Sequence, residues 1–249
     1  MPTRIFPFKS RARTRDASQQ RAPLSRRGVW LRRILWAGAL VFLAPHVLLL
    51  IYRFLPPPIT PLMVQRLFEG ESLHKDWVPL SDIAVYLPRS AIAGEDNRFC
   101  LHHGVDWEEL GDVIAQYRAG KHTRGASTIT MQTVKNLILW QGRDVFRKGL
   151  EIYFALYLDL IWPKTRIMEV YLNIVEWGHG IYGAEAASMH YFGRPAARLT
   201  PVQASLLASV LPNPRDWSAG HPGPYVSERS GIIRGRVEQL GPYLDCVNR

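Results

Sequence analysis

A short segment, AIAGEDNRFCLHHGVDW at residues 91–107, places two acids side by side, Glu95 and Asp96. His102 and a third acid, Asp106, follow within the same segment. Carboxylates and imidazoles are the side chains that most often exchange protons with a reacting group near neutral pH. The segment is therefore a candidate reaction site, and the alternative is a helix end whose charges are solvated.

A second polar cluster lies in the stretch TRGASTITMQTVKN. The spacing of Thr128, Gln132 and Lys135 puts them on one face of a helix, with Asn136 beside them. Ser127 and Thr128 are typical of a helix start, whose free N–H groups attract anions. This stretch is a candidate anion-binding site.

Positively charged side chains surround the second cluster: Lys121, Arg124, Arg143, Arg147 and Lys148. Basic side chains that converge on a helix N-terminus suit a phosphate or diphosphate ligand. Glu151 follows one turn later, and the sequence leaves two interpretations of it open. It is either the partner of a structural ion pair or a second acid of the site.

Two carboxylates, here Glu95 and Glu151, are the usual machinery of glycosyl chemistry. Hydrolysis of a glycosidic bond needs one of them as an acid, because the departing alcohol is a poor leaving group. A diphosphate leaving group is stabilised by positive charge instead, so one ionised carboxylate suffices as the base. The surplus of Lys and Arg therefore favours transfer from a phosphate-activated sugar over hydrolysis.

The positive net charge of the chain, +10, has a local origin. Residues 1–33 contain ten Lys and Arg against one acid, Asp16, whereas twenty basic and twenty acidic side chains balance from residue 54 onward. A nucleic-acid-binding domain would carry its basic surface on the folded part. We therefore expect no nucleic-acid partner and interpret the basic arm as a signal of membrane topology.

A stretch without Asp, Glu, Lys or Arg, residues 34–52, is long enough to cross a bilayer as one helix. The basic residues before it predict a cytoplasmic N-terminus, so the following domain would face outward. The expected organisation is a basic cytoplasmic arm (1–33), a transmembrane helix (34–52), a proline-rich spacer (53–61) that lifts the domain off the bilayer, and an outer domain (62–249).

The outer domain is predicted to be mainly α-helical, because helix caps and a 3.6-residue periodicity recur without alternating strands. Asp106 is expected to cap one helix, and Thr200 with Gln203 forms the capping box of another. Residues 149–162 carry only two charges and predict a helix buried on all sides.

Two cysteines, Cys100 and Cys246, would lie in an oxidising compartment. A disulfide between them remains open, because the sequence does not show whether they are close in space. No cluster of His, Cys and Asp has the spacing of metal ligands, so a tightly bound metal is not expected.

Together these motifs resemble those of the peptidoglycan glycosyltransferases. The segment GEDNRFCLHHGVD fits their E-D-x-x-F-x-x-H-x-G-x-D signature at every fixed position, and RGASTITMQTVKNL is similar to their second motif. The remaining three are matched, in the family's order, by RKGLE, YLNIVEWGHGIYGAEAASMHYFG and LTPVQASLLASVLPNP. No transpeptidase domain follows, so the resemblance is to the monofunctional biosynthetic members.

The resemblance implies a lysozyme-like helical fold and polymerisation of lipid II into β-1,4-linked glycan strands, with release of undecaprenyl diphosphate. It implies two catalytic acids, Glu95 as the general base and Glu151, with Asp96, Phe99 and His102 shaping the site. The substrate and its diphosphate would be bound by a larger set: Arg124, Ser127, Thr128, Gln132, Lys135, Asn136, Arg143, Arg147 and Lys148.

The resemblance also implies surroundings: the bacterial cytoplasmic (inner) membrane, a periplasmic catalytic domain, lipid II and the lipid-linked glycan as partners, and other proteins of cell-wall synthesis and division. No tightly bound cofactor is implied, and any Mg²⁺ or Mn²⁺ would arrive with the substrate diphosphate. Met131 stands where the family usually has Gln, which removes a hydrogen-bonding group. A lysozyme-like hydrolase and a catalytically silent membrane-anchored scaffold are the alternatives.

Overall fold

A computed structural model describes residues 26–121, 125–142 and 144–247. This part of the chain is mainly helical, as predicted. The helices are Arg26–Tyr52 (α1), Pro61–Phe68 (α2), Tyr86–Glu95 (α3), Trp107–Arg118 (α4), Ile129–Ile138 (α5), Val145–Ile161 (α6), Lys164–Ile174 (α7), Ala184–Phe192 (α8), Pro201–Val210 (α9) and Pro224–Leu240 (α10). Short 3-10 helices lie at Leu80–Asp82, Ala196–Arg198 and Gly241–Val247.

The predicted helix caps are confirmed. The side chain of Asp106 accepts hydrogen bonds from the first turn of α4, and that of Thr128 accepts one from the N–H of Met131 in α5. Thr200 and Gln203 form the reciprocal capping box that begins α9. These side chains satisfy N–H groups that a helix leaves without partners, which fixes where each helix starts.

Two groups of packed helices carry the site. In one, α10 packs across α9 and α3, and in the other α5 packs on α6 and α7. The carboxylate of Asp96, at the end of α3, accepts a hydrogen bond from the N–H of Ile129 at 2.9 Å. This bond joins the two groups at the point where α3 ends and α5 begins.

A small sheet, too short to be recognised in the sequence, accompanies the helices. Its strands are His74–Lys75 (β1), Glu176–Gly178 (β2) and Ile181–Tyr182 (β3), in the order β1-β3-β2. β1 is parallel and β2 antiparallel to β3. The sheet buries Trp177 and Tyr182, which are among the largest fully buried side chains.

Helix α1 contains the apolar stretch Val29–Tyr52, which is long enough to cross a membrane. No other helix in the described ranges combines that length with that composition. The helix begins at Arg26, before the predicted start of the span. The described residues divide into two compact units, which meet between Ala44 and Pro45.

The segment that was expected to be a spacer lies on the domain. The indole N–H of Trp162 donates to the carbonyl of Leu49 at 2.9 Å, and Arg166 donates to the carbonyl of Leu55 at 2.8 Å. Lys75 donates in the same way to a carbonyl of the proline run at 2.5 Å. The chain from residue 45 to the proline run is therefore bonded to the domain along its length.

The prediction that residues 149–162 form a helix buried on all sides is wrong. α6 buries Phe154, Ala155 and Leu158 on one face, but Leu160 is 83% exposed and Tyr153 is 45% exposed. A helix that is apolar all round carries no periodic signal, so its sequence did not distinguish the inner face from the outer one.

Cys100 and Cys246 form a disulfide, with their Cα atoms 5.5 Å apart. The sequence had left this pairing open. The bond connects the segment after α3 to the 3-10 helix that follows α10.

Replacing Gly104 by Ala tests how closely the loop after α3 packs on α6. Gly104 has φ +78°, and a Cβ there would lie 2.4 Å from the carbonyl oxygen of Ala155. We expect the Gly104→Ala variant to lose at least about 2 kcal/mol of unfolding free energy in denaturant titrations. The control Gly111→Ala, in α4 with open space around its Cβ, should gain up to about 1 kcal/mol. Equal stability of both variants would contradict this packing.

Candidate active site

Glu95 is the last residue of α3, and its carboxylate is held between two donors. The amide of Gln132 donates to one oxygen and the guanidinium of Arg229 to the other, each at 3.1 Å. The side chain is 12% exposed. Burial raises the pKa of Glu95, and the hydrogen bonds from Gln132 and Arg229 oppose that rise.

An open cleft of about 580 Å³ adjoins this carboxylate. One wall comes from the loop before α5 and from its cap, with Ser127 and Thr128. The opposite wall comes from α10, with Arg229 and Arg236. The predicted anion-binding stretch therefore lies across the cleft from α10, a helix in which no site residue was predicted.

A buried tyrosine orients the donor to Glu95. The hydroxyl of Tyr171 donates to the amide oxygen of Gln132 at 3.2 Å, which leaves the amide N–H₂ directed at Glu95. Burial, followed by the negative charges of Glu95 and Asp96, raises the pKa of Tyr171 well above its ordinary value. Tyr171 therefore remains a neutral donor over the whole range in which Glu95 titrates.

The other predicted residues of the first motif join α3 to α5. Both carboxylate oxygens of Asp96 lie 3.0 Å from Nε2 of His102, while one of them also accepts the N–H of Ile129. Phe99 is fully buried beside them. His102 is buried, whereas the adjacent His103 is exposed.

Glu151 forms the ion pairs that one interpretation of the sequence predicted, while its catalytic role stays a prediction. Its carboxylate is 2% exposed and accepts from Arg147 at 2.5 Å and from Lys148 at 2.7 Å. Lys148 also donates to the hydroxyl of Ser127 at 2.7 Å. Glu151 thus fixes two cations of α6, and one of them is bonded to the loop that precedes α5.

Lys135 and Asn136 lie on α5, the helix that packs on α6, and Asn136 is buried. Burial lowers the pKa of Lys135, the attraction of Glu151 opposes this, and the repulsion of Arg147 and Lys148 adds to it. These cations form a positive cluster on α5 and α6, which we call the basic cluster: Lys135, Arg147 and Lys148.

Arg124 and Arg143 lie outside the described residues. Ala126 lines the cleft, whereas the side chain of Met131 is buried in the core. The Met side chain therefore fills core volume and removes no hydrogen-bonding group from the cleft.

Two site residues, Arg229 and Tyr171, were not predicted. Arg229 lies beyond the last motif, in a helix rich in charges, and only the packing of α10 on α3 brings it to Glu95. Tyr171 offered one signal, since a buried tyrosine hydroxyl usually needs a hydrogen-bond partner. Its periodic surroundings indicated a core position and no more.

The arrangement can remove a proton and hold an anion. Glu95 is a partly buried carboxylate at the edge of a cleft, and the basic cluster offers positive charge. The described residues contain no group of three or more His, Cys, Asp or Glu placed to hold a metal ion. Both oxygens of Glu151 already accept from cations, which makes the basic cluster a poor metal site.

Exchange of Glu95 for Gln should change how stability depends on pH. The raised pKa means that the folded state binds a proton that the unfolded state has released, so wild-type stability falls as pH rises above the ordinary carboxyl pKa. Relative to wild type, Glu95→Gln should gain thermal stability as pH is raised from 4 to 7. The exposed residue Glu238 supplies the control, Glu238→Gln, which should show no such trend. A constant difference between wild type and Glu95→Gln would contradict the burial of Glu95.

Comparison with known proteins identifies the family. The transglycosylase family model matches residues 62–237. The biosynthetic peptidoglycan transglycosylase of Caulobacter vibrioides is 48% identical over 221 residues, covering 87% of this chain and 96% of the relative. Those of Pseudomonas syringae pv. syringae (49% over 227 residues, 88% and 96%) and Xylella fastidiosa (42% over 236 residues, 91% and 97%) are similar. The chain therefore belongs to the transglycosylase family, among the biosynthetic peptidoglycan transglycosylases.

Proposed function

We propose that this protein polymerises lipid II into β-1,4-linked glycan strands of peptidoglycan and releases undecaprenyl diphosphate. The observation that carries the proposal is the partly buried carboxylate of Glu95, which has a raised pKa and borders an open cleft. A general base is most effective when its pKa lies close to the working pH. Burial moves Glu95 in that direction.

In the proposed reaction Glu95 takes the proton from the 4-hydroxyl of the acceptor sugar. The freed oxygen attacks the anomeric carbon of the lipid-linked chain, and the bond between that carbon and the diphosphate oxygen breaks. The electron pair leaves with the diphosphate, so the α-linkage becomes a β-linkage. Gln132 and Arg229 hold the carboxylate in place during this transfer.

The basic cluster is proposed to stabilise the charge that develops on the leaving diphosphate. Lys135, Arg147 and Lys148 supply this charge, and Arg124 and Arg143 are proposed to add to it. Ser127, Thr128 and Asn136 complete the anion-binding stretch. Glu151 acts here by holding Arg147 and Lys148, because both of its oxygens already accept from them.

A divalent cation is proposed to accompany the substrate and not to reside on the protein. The basic cluster offers positive charge where a resident Mg²⁺ or Mn²⁺ would need free oxygen ligands. Such an ion would neutralise part of the diphosphate charge, and the chain's own residues would bind and orient the remainder.

The apolar helix is proposed to anchor the protein in the bacterial inner membrane, with a cytoplasmic N-terminus and the catalytic domain in the periplasm. Its length supports this orientation, as do the ten basic residues in positions 1–33, which precede the uncharged stretch 34–52. The lipid tail of the substrate would stay in the bilayer while sugar and diphosphate enter the cleft. Other proteins of cell-wall synthesis and division are proposed partners.

The alternatives receive less support. A hydrolase would need a second carboxyl group free to protonate the leaving oxygen, and Glu151 is already paired with two cations. A silent scaffold would have no need of a buried carboxylate with a raised pKa beside a cleft.

Polymerisation of labelled lipid II by the full-length protein in detergent tests the proposal. We expect Glu95→Gln to lose roughly 10²–10⁴-fold in rate, because the variant keeps its shape but has no base. The control is Arg198→Gln, which removes an exposed cation outside the site and should leave the rate unchanged.

Three results would contradict the proposal in different ways. Equal rates for Glu95→Gln and wild type would remove Glu95 from the chemistry. Inactivity of the folded wild type would favour the scaffold, and shortening of finished glycan would favour the hydrolase.

Chelation tests the role given to the divalent cation. EDTA should lower the rate of polymerisation while the melting temperature of the protein stays constant, and added Mg²⁺ should restore the rate. A lower melting temperature in EDTA would indicate a metal bound to the protein itself. An unchanged rate would show that the basic cluster suffices alone.

A further inference from the structure

The Cys100–Cys246 disulfide lies close to the candidate base in the chain. Cys100 follows Glu95 in the segment after α3, where Asp96 and Phe99 are buried and backbone hydrogen bonds form a tight turn. The bond is therefore attached to the part of the chain that fixes the position of Glu95.

The other end of the disulfide belongs to the C-terminal strap, which we define as α10 together with the 3-10 helix Gly241–Val247. The strap passes Glu95 at Arg229, whose guanidinium donates to the carboxylate and to the carbonyl of Gly94, both within 3.1 Å. It then returns to the same segment at Cys246. The strap therefore contacts one short stretch of chain twice, first through Arg229 and again through Cys246.

α10 packs on α9 and α3 with few fully buried side chains. Of its 17 residues only Val226, Ser230 and Ile233 are buried. Ile233 packs where Gly94 has no side chain, so that a Cβ at Gly94 would lie 3.1 Å from it. A covalent attachment at its C-terminal end therefore restricts further how α10 can shift on α3.

We propose that the Cys100–Cys246 disulfide is a positioning element of the active site, which keeps Arg229 in register with the carboxylate of Glu95. The proposal rests on the role of Glu95 as the base. The bond touches no substrate and acts through Arg229. Without it, the strap moves on α3 and the salt bridge between Arg229 and Glu95 is made only part of the time.

Loss of this salt bridge has a defined effect on the pH profile. The charged and titratable groups that act on Glu95 include Arg229 from α10, Lys135 from α5, Tyr171 from α7 and the adjacent Asp96. Glu228 and Arg236 of α10 line the same cleft. Arg229 favours the ionised form, so its removal raises the pKa of Glu95 further. In a plot of polymerisation rate against pH, the acidic limb should then move to higher pH.

The test compares kcat/KM for lipid II between pH 5 and 8 in wild type, Arg229→Gln and the double variant Cys100→Ser/Cys246→Ser. We expect both variants to move the acidic limb to higher pH, with a loss of roughly 10–10²-fold near neutral pH. The triple variant that combines these substitutions should lose little more of kcat/KM than Arg229→Gln alone, because the disulfide acts through Arg229.

A destabilised control separates positioning from general stability. Ile181→Ala removes a buried side chain from β3, outside the site, and keeps the disulfide. All variants are assayed at a temperature where their melting curves show a folded protein. Ile181→Ala should melt earlier than wild type and keep the wild-type pH profile.

The outcomes are distinct. An acidic limb that stays at the wild-type pH in the cysteine variant, or a loss that adds fully to that of Arg229→Gln, overturns the positioning role. If Ile181→Ala moves the limb as far, the effect is one of general stability and the inference falls. An inactive wild type, by contrast, overturns the proposed function.

Discussion

The carboxylate of Asp96 is the junction on which the rest of the site depends. It accepts the first free N–H of α5 and contacts His102, so the end of α3 and the start of α5 are held together by one buried group. A buried carboxylate is stable only when its oxygens are bonded in this way. Because Glu95 precedes it directly, the same bonds determine where the candidate base lies relative to Gln132.

Two glutamates in one site have opposite environments. Glu151 accepts from two cations at short distances and belongs to an ion-pair network. Glu95 receives one amide and one guanidinium at longer distances, and burial prevails. This difference follows from the number and charge of the donors that each carboxylate meets.

Features that depend on neighbouring residues in the chain could be predicted. The caps at Asp106 and Thr128, the ion pair of Glu151 and the family were found from local spacing and motif order. Arg229 could not be found, because its role depends on how α10 returns to α3 after more than a hundred residues. The exposed face of α6 was missed for another reason. The sequence of a uniformly apolar helix does not show which face is buried.

The bonded chain between α1 and the domain has a consequence for how the domain is attached. A flexible tether dilutes a domain over a volume that grows with tether length, and the local concentration falls accordingly. Here the carbonyls of Leu49 and Leu55 accept hydrogen bonds from Trp162 and Arg166, so this part of the chain is not such a tether. If α1 is the anchor, as proposed, the chain between residue 45 and the proline run adds no flexible length to the attachment of the domain.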